Sequence, residues 1–351
     1  MKNTRIVPIL IGVCVVLAVA LVVVLALGVG RQPAEEPATE YEIGIFQIIS
    51  HPALDSAREG FKDAFKAGLE DEGLTVADVV FTERNAAGSP DLAYTIADYF
   101  VSEGVDLICA IATPCTIAAT TAVEGTGIPV VFNSVTNPAD AGIENPDEPG
   151  GQVTGVSDVA PVAPNIQLLI DILDANNLTL SKLGVMYNAG EPNSVYQVEV
   201  QLDEALVDLG LNITVVEATV STGADIPAAA QSLADAEVDA IWIPTDNTVV
   251  AGIEGLVGVC EDNDIPLVAA DVATIERGAL GCWGMEYYNV GYLSGEMAVN
   301  ILLKGVDPGT IPIGFTPANL FYLYPEEAER QGVTIPQDLL DQATKIVEDP
   351  A

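Results

Sequence analysis

"YEIGIFQIISHPALDSAREGFKDAF", residues 41 to 65, shows the repeating unit of the fold in miniature. Its first nine residues form an apolar run of the kind that makes a parallel strand buried on both faces. Ser50 and His51 interrupt the run, and Pro52 suits the first position of a helix, where its missing N–H costs nothing. From there Leu54, Ala57, Phe61, Ala64, Phe65 and Leu69 recur at helical spacing, with Glu59, Lys62 and Lys66 on the other face. A strand that leads straight into a helix is half of a βα crossover.

The same alternation continues downstream. "VADVVFTE" (76–83), "VDLICAIA" (105–112) and "IPVVFNSV" (128–135) read as strands separated by amphipathic stretches. A Gly/Pro-rich passage at 137–158 marks a boundary between lobes. Beyond it the pattern restarts with "KLGVMYN" (182–188), "NITVVEAT" (212–219), "VDAIWIPT" (238–245) and "IPLVAAD" (265–271). The segment 193–210 reads as one helix with Val195, Val198, Leu202, Leu206 and Leu209 inward. Two successive sets of βα units predict an α/β protein of two doubly wound parallel-sheet lobes.

Composition narrows the function. Fifty-one acidic residues against 12 basic ones leave a net charge of −39. Such a surface repels phosphate backbones, which argues against nucleic acid as a partner. The acid is dispersed among ordinary apolar periodicity, as in a folded protein of a high-salt source, where salt screens the self-repulsion. Lys2 and Arg5 precede an uncharged stretch from Ile6 to Gly30, 25 residues long and sufficient to cross a bilayer. Residues 1–30 are therefore read as a membrane anchor, with a cleaved signal or lipidation at Cys14 as the alternatives. Each reading exports the rest of the chain, and residues 31–41 form a Pro/Glu-rich tether. In an exported chain Cys260 and Cys282 are able to pair as a disulfide within one lobe.

Ligands of open α/β sheets bind beyond the carboxyl ends of the strands, so the residues after each strand are the binding candidates. In the first lobe these are Ser50 and His51, then Thr113, Pro114 and Thr116, then Asn133 and Ser134. In the second they are Asn188, Glu191, Asn193 and Ser194, then Thr245, Asp246 and Asn247, then Asp271. Hydroxyls, amides and a few carboxylates suit a small polar ligand. The start of the helix at Pro52 offers N–H groups to a ligand carboxylate, with Ser50 or His51 as its cap. Asp246 can pair with a ligand ammonium or merely cap the helix that follows, and Glu191 can share that ammonium or stay solvated. Tyr287 and Tyr288 can wall a pocket, although plain packing explains them as well.

Motifs of catalysis are missing. There is no P-loop, no GxGxxG after the first strand, no HExxH and no GxSxG elbow. A single histidine completes neither a metal site nor a Ser-His-Asp triad. No enzyme activity, cofactor or metal is expected.

At these same loops the chain resembles a known family. "IATPCTIAATTAVEGTGIPVVFNSVTNPADAG", "GGQVTGVSD", "GVMYNAGEPNS", "IWIPTDN" and "RGALGCWGMEYYNVGYLSGEMAVNIL" look like the successive blocks of ABC-transporter substrate-binding proteins of the tryptophan-binding type. The resemblance spans roughly residues 42 to 345. It implies a type I periplasmic-binding-protein fold, with a hinge of three crossovers near 157, 285 and 312 and a central ligand cleft. The lobes are then 42–156 plus 286–312, and 157–285 plus 313–345. It also implies a receptor on the extracytoplasmic face of the membrane that hands a small solute, an aromatic amino acid favoured, to an ABC permease. A sensory receptor of the same fold, signalling to a membrane partner, is the alternative.

Overall fold

The computed structural model describes residues 41–349, so the anchor and most of the tether lie outside the described residues. Two sheets organise this part of the chain. The first contains β1 (Tyr41–Gln47), β2 (Val79–Asn85), β3 (Leu107–Ile111), β4 (Val130–Val135) and β5 (Val153–Ser157) in the order β5-β4-β3-β1-β2, all parallel. Helices α1 (Pro52–Asp71), α2 (Pro90–Glu103) and α3 (Thr113–Ala122) follow β1, β2 and β3. The start of α2 shows how the sequence sets these joints. Ser89 accepts the Leu92 N–H at 3.2 Å, Pro90 occupies the first turn, and Gly104 ends the helix at φ +73.

Helix α4 (Val162–Ala175) opens the second lobe. Its sheet contains β6 (Lys182–Tyr187), β7 (Thr214–Thr219), β8 (Ala240–Ile243), β9 (Leu267–Ala269) and β10 (Gly281–Gly284) in the order β10-β9-β8-β6-β7, again parallel. The helix expected over 193–210 is divided into α5 (Pro192–Tyr196), a π turn at Gln197–Gln201 and α6 (Leu202–Asp208). Helices α7 (Ile226–Asp235), α8 (Asn247–Ala251) and α9 (Glu254–Asp262) complete the crossovers.

The chain then returns to the first lobe through α10 (Tyr287–Leu302) and the short strand β11 (Gly314–Phe315), and ends in the second with β12 (Leu320–Leu323) and β13 (Lys345–Ile346). β12 runs antiparallel to β10, so the second sheet is mixed rather than wholly parallel. Three crossings link the sheets: after Ser157, after Gly284, and between Phe315 and Leu320. Residues 313–315, read from the resemblance as second lobe, belong with the first. Gly314 and Phe315 pair with Val156 and Ser157, and Ile313 is buried in the first lobe's core.

The first core gathers Ile43, Ile45, Phe46, Phe61, Phe65, Phe100 and Phe132, all fully buried. Burying each phenylalanine contributes roughly 1.5–3 kcal/mol. In the second lobe Leu183 and Val185 face one core cluster while Met186, Ile241 and Ile243 face another, because alternate strand residues point to opposite faces. Cys260 and Cys282 are both buried, unpaired thiols within the second of these clusters, and the disulfide open to them from sequence is not formed.

Candidate ligand-binding cleft

The carboxyl ends of the two sheets face one another across a narrow cleft. From the first lobe His51, Leu54, Ser134 and Thr136 line it, with Asp158 at the end of β5. From the second come Asn193, Thr245, Asp246, Asn247, Val250 and Asp271, and Tyr287 closes it at a crossing. The enclosed cavity is about 10 Å³, on the scale of one water molecule, so a larger ligand requires the lobes to separate further. Two hydrogen bonds join the lobes here. His51 Nε2 meets Asn247 Oδ1 at 3.3 Å, and the hydroxyls of Thr136 and Thr245 meet at 3.1 Å.

Short-range chemistry builds the second-lobe wall. Asp246 caps α8 by accepting the Val249 N–H at 2.8 Å, and its other oxygen accepts Asn188 N–H and Ser194 Oγ–H, each at 2.6 Å. Glu191 is saturated from the same helix start. It accepts both the N–H and the side chain of Asn247, at 3.0 and 2.6 Å, and of Thr248, at 2.9 and 2.7 Å. A ligand ammonium therefore finds Glu191 already engaged. The π turn points Gln197 at the end of β8, where its Oε1 accepts the N–H and hydroxyl of Thr245 at 2.6 and 2.9 Å. Such turns recur at functional sites because they redirect a side chain without ending the helix.

Three carboxylates reach the cavity. Burial raises Asp158 to about 6, although Tyr287 Oη–H and Thr136 Oγ–H both donate to it. Burial raises Asp271 to about 7, opposed by the Ala273 N–H that it accepts at 2.8 Å. Burial also raises Asp246, and the neighbouring charge of Glu191 adds to the effect. In the opposite sense, burial lowers His51 to about 4, which leaves a neutral imidazole at ordinary pH.

Of the residues singled out from sequence, His51, Ser134, Asn193, Thr245, Asp246, Asn247 and Asp271 meet in this cavity. The rest lie around it. Ser50 donates to Asp55, Asn133 donates to Ser294 on α10, Asn188 donates to Thr248, and Thr116 bonds back to Ala112. Thr113 and Pro114 are buried at the start of α3. Leu54, Asp158 and Val250 were not anticipated as lining residues, Thr136 belongs to the strand-end loop 133–136 expected to line the cleft, and Tyr287 is a wall as well as a packing residue. Asp158 follows a strand hidden in the Gly-rich "GGQVTGVSD". Recognising that strand would have brought Asp158 under the strand-end rule. Backbone strain also collects here: Ala112 and Ser134, at the ends of β3 and β4, have φ of +79 and +57.

A model of the family "ABC transporter substrate binding protein" matches residues 42–347. The chain belongs to that family. This substrate-binding protein is 36% identical over 273 residues to the tyrosine-binding protein of Clostridioides difficile, a match covering 77% of this chain and 75% of the relative. Its fold matches the ABC domain in complex with L-Trp from Streptococcus pneumoniae at TM-score 0.78 and 30% identity, over 88% of this chain and all of that one. A ligand-free, open substrate-binding protein with adhesive properties from Clostridium difficile matches at TM-score 0.62 and 31% identity, over 88% of this chain and all of that one. The substrate-binding protein thus sits nearer to the complexed arrangement than to the open one, in keeping with the bonds that join its lobes.

Proposed function

We propose that this protein is the extracytoplasmic receptor of an ABC importer and binds a small amino acid or related amine between its lobes. The observation that carries the reading is the cavity at the strand ends, where both lobes contribute side chains and three carboxylates border one small volume. Carboxylates held in a buried site form strong, charge-assisted bonds to an ammonium. The relatives point the same way, since one is a tyrosine-binding protein and another was solved with L-Trp.

In this reading Asp158 and Asp271 take the ammonium, Asp246 adds its charge with both oxygens already bonded, and Leu54, Val250 and Tyr287 cover the rest of the ligand. His51, Ser134, Asn193, Thr245 and Asn247 complete the wall, and Glu191 and Asn188 hold α8 in place. Opening and closing are rigid-body motions of the lobes about the three crossings. The closed form docks on an ABC permease, and the N-terminal segment tethers the receptor to the membrane. No bond is made or broken on the ligand.

The test is a thermal-shift screen of residues 41–351 in high salt against the twenty amino acids and their amines. A ligand present at about 1,000 times its Kd adds roughly 4 kcal/mol to the folded state and raises Tm visibly. A shift with an amino acid or amine supports the reading. Shifts confined to sugars or carboxylic acids would replace the ligand class.

A further inference from the structure

The hydrogen-bonding groups of the cleft are unevenly spent, and the imbalance bears on the ligand. The side-chain donors that line the cavity are committed to the protein itself. Tyr287 Oη–H donates to Asp158 at 3.0 Å, Thr245 Oγ–H is taken by Thr136 at 3.1 Å or by Gln197 at 2.9 Å, and Ser134 Oγ–H donates to Asn133 at 3.2 Å. Asn193 Nδ2 donates to the Thr245 carbonyl and Asn247 Nδ2 to Glu191, both at 2.6 Å. Because Nδ2 of Asn247 faces Glu191, its Oδ1 faces His51, so His51 Nε2 carries the proton of that bond and Nδ1 is a bare acceptor.

The acceptors are not spent. Asn193 Oδ1 and His51 Nδ1 are buried and have no partner, in residues 3% and 6% exposed. Asp271, 2% exposed, uses only Oδ1, leaving Oδ2 without a bond. Asp158 and Asp246 bring two more carboxyl groups to the same cavity, each already accepting a bond on both oxygens, so they add negative charge and only their remaining lone pairs. Among the described residues no lysine or arginine lines it. Arg277, the nearest cation on the second lobe, turns its guanidinium to the Val250 and Ala251 carbonyls and to Glu254. Nor do the carboxylates converge as a metal-holding group among the described residues. A buried set of free acceptors asks for a ligand rich in donors, and it penalises a buried anion that finds neither a donor nor an opposite charge.

We propose that the cleft recognises its ligand through a cationic amino group and does not require a ligand carboxylate, so that simple alkyl- and arylalkylamines bind at least as tightly as the corresponding amino acids. The ammonium bonds to Asp271 Oδ2, Asn193 Oδ1 and the Asp158 carboxylate, and the apolar body passes between Leu54 and Val250, one from each lobe. The proposal rests on the receptor reading and narrows it. An amino acid is held by its ammonium alone, with its carboxylate toward the mouth of the cleft.

Matched sets of ligands test this on the full chain by isothermal titration at pH 7.5 in high salt: tyrosine, tyramine and 3-(4-hydroxyphenyl)propionate; tryptophan, tryptamine and indole-3-propionate; leucine and isoamylamine. The expected result is that, in any set that binds, the amine equals or exceeds the amino acid and the deaminated acid fails to bind. An amino acid that binds ten-fold or more tightly than its amine overturns the inference and leaves the amino-acid receptor standing. Binding of a deaminated acid, or of no member of any set, overturns both. As a second measure, Asp271→Asn should weaken the best amine about ten-fold or more by removing a charge-assisted bond. Unchanged amine affinity in a variant that melts no lower than the parent overturns the part assigned to Asp271.

Discussion

Asp271→Asn should stabilise the ligand-free protein, and the size of the gain should depend on pH. The carboxyl is 2% exposed and burial lifts it to about 7, from 3.8 for the free group. A carboxyl raised on folding stabilises fully below its unfolded value, and that contribution is lost as pH climbs through the folded one. At about 1.36 kcal/mol for each unit, a shift of roughly three units costs the native state about 4 kcal/mol at pH 8 and under about 2 kcal/mol at pH 5. Asparagine removes this cost and keeps an oxygen for the Ala273 N–H that Asp271 accepts. At roughly 2 °C per kcal/mol for a chain of this size, Tm should rise by about 8 °C at pH 8, less at pH 6, and hardly at all near pH 4. Calorimetric scans of parent and variant from pH 4 to 8, at constant high salt, read this directly. A variant that melts at or below the parent at pH 8, or a gain that is flat with pH, would refute the reasoning. It would place Asp271 in water, as in a cleft standing open.

Three further outcomes are expected. Gly291→Ala should destabilise the fold by on the order of 1–3 kcal/mol and so lower Tm, because a Cβ there collides with the Ala57 carbonyl where α10 crosses α1; an unchanged Tm would mean the helices yield. Thr136→Val removes the hydroxyl bridge to Thr245, worth about 1 kcal/mol, and should shift the ligand-free lobes about five-fold toward the open form. Small-angle scattering should show a larger radius of gyration, and an identical curve would remove that bridge from the account. Raising salt from 0.15 to 2 M should raise Tm, because a net charge of −39 repels itself across a Debye length of about 8 Å that salt shortens; a flat profile would remove self-repulsion as a force on this fold.

Much of the architecture was legible because its strands are apolar on both faces. β1, β3 and β4 are buried along nearly their whole length, so hydrophobic runs alone betray them. β5 escaped because "VTGVS" is short, carries a glycine and sits beside Gly150 and Gly151, where turn chemistry dominates the local pattern. β11 has only two residues, too few for any periodicity, and it alone moves the third crossing past 315. The π turn at Gln197 leaves no mark on the helical spacing, since Val195, Val198 and Leu202 still point inward across it.

The site divides along the same line. Residues at the ends of legible strands, such as Ser134, Thr245, Asp246 and Asp271, were reachable by topology, because a parallel sheet delivers every strand end to one edge. What topology does not reveal is how the polar groups at that edge are shared. Glu191 and Asp271 are alike in sequence, two acids near strand ends, yet Glu191 gives its oxygens to the backbone and side chains of Asn247 and Thr248, as Asp246 gives both of its oxygens to Val249, Asn188 and Ser194. That distinction needs three-dimensional bonding, because an acidic residue is defined as a site by the lone pairs left over once the fold has used the rest. By that measure Asp271 has the strongest claim in the cleft. It has one oxygen engaged and one free, beside the unpartnered Asn193 Oδ1 and His51 Nδ1 of the same cavity.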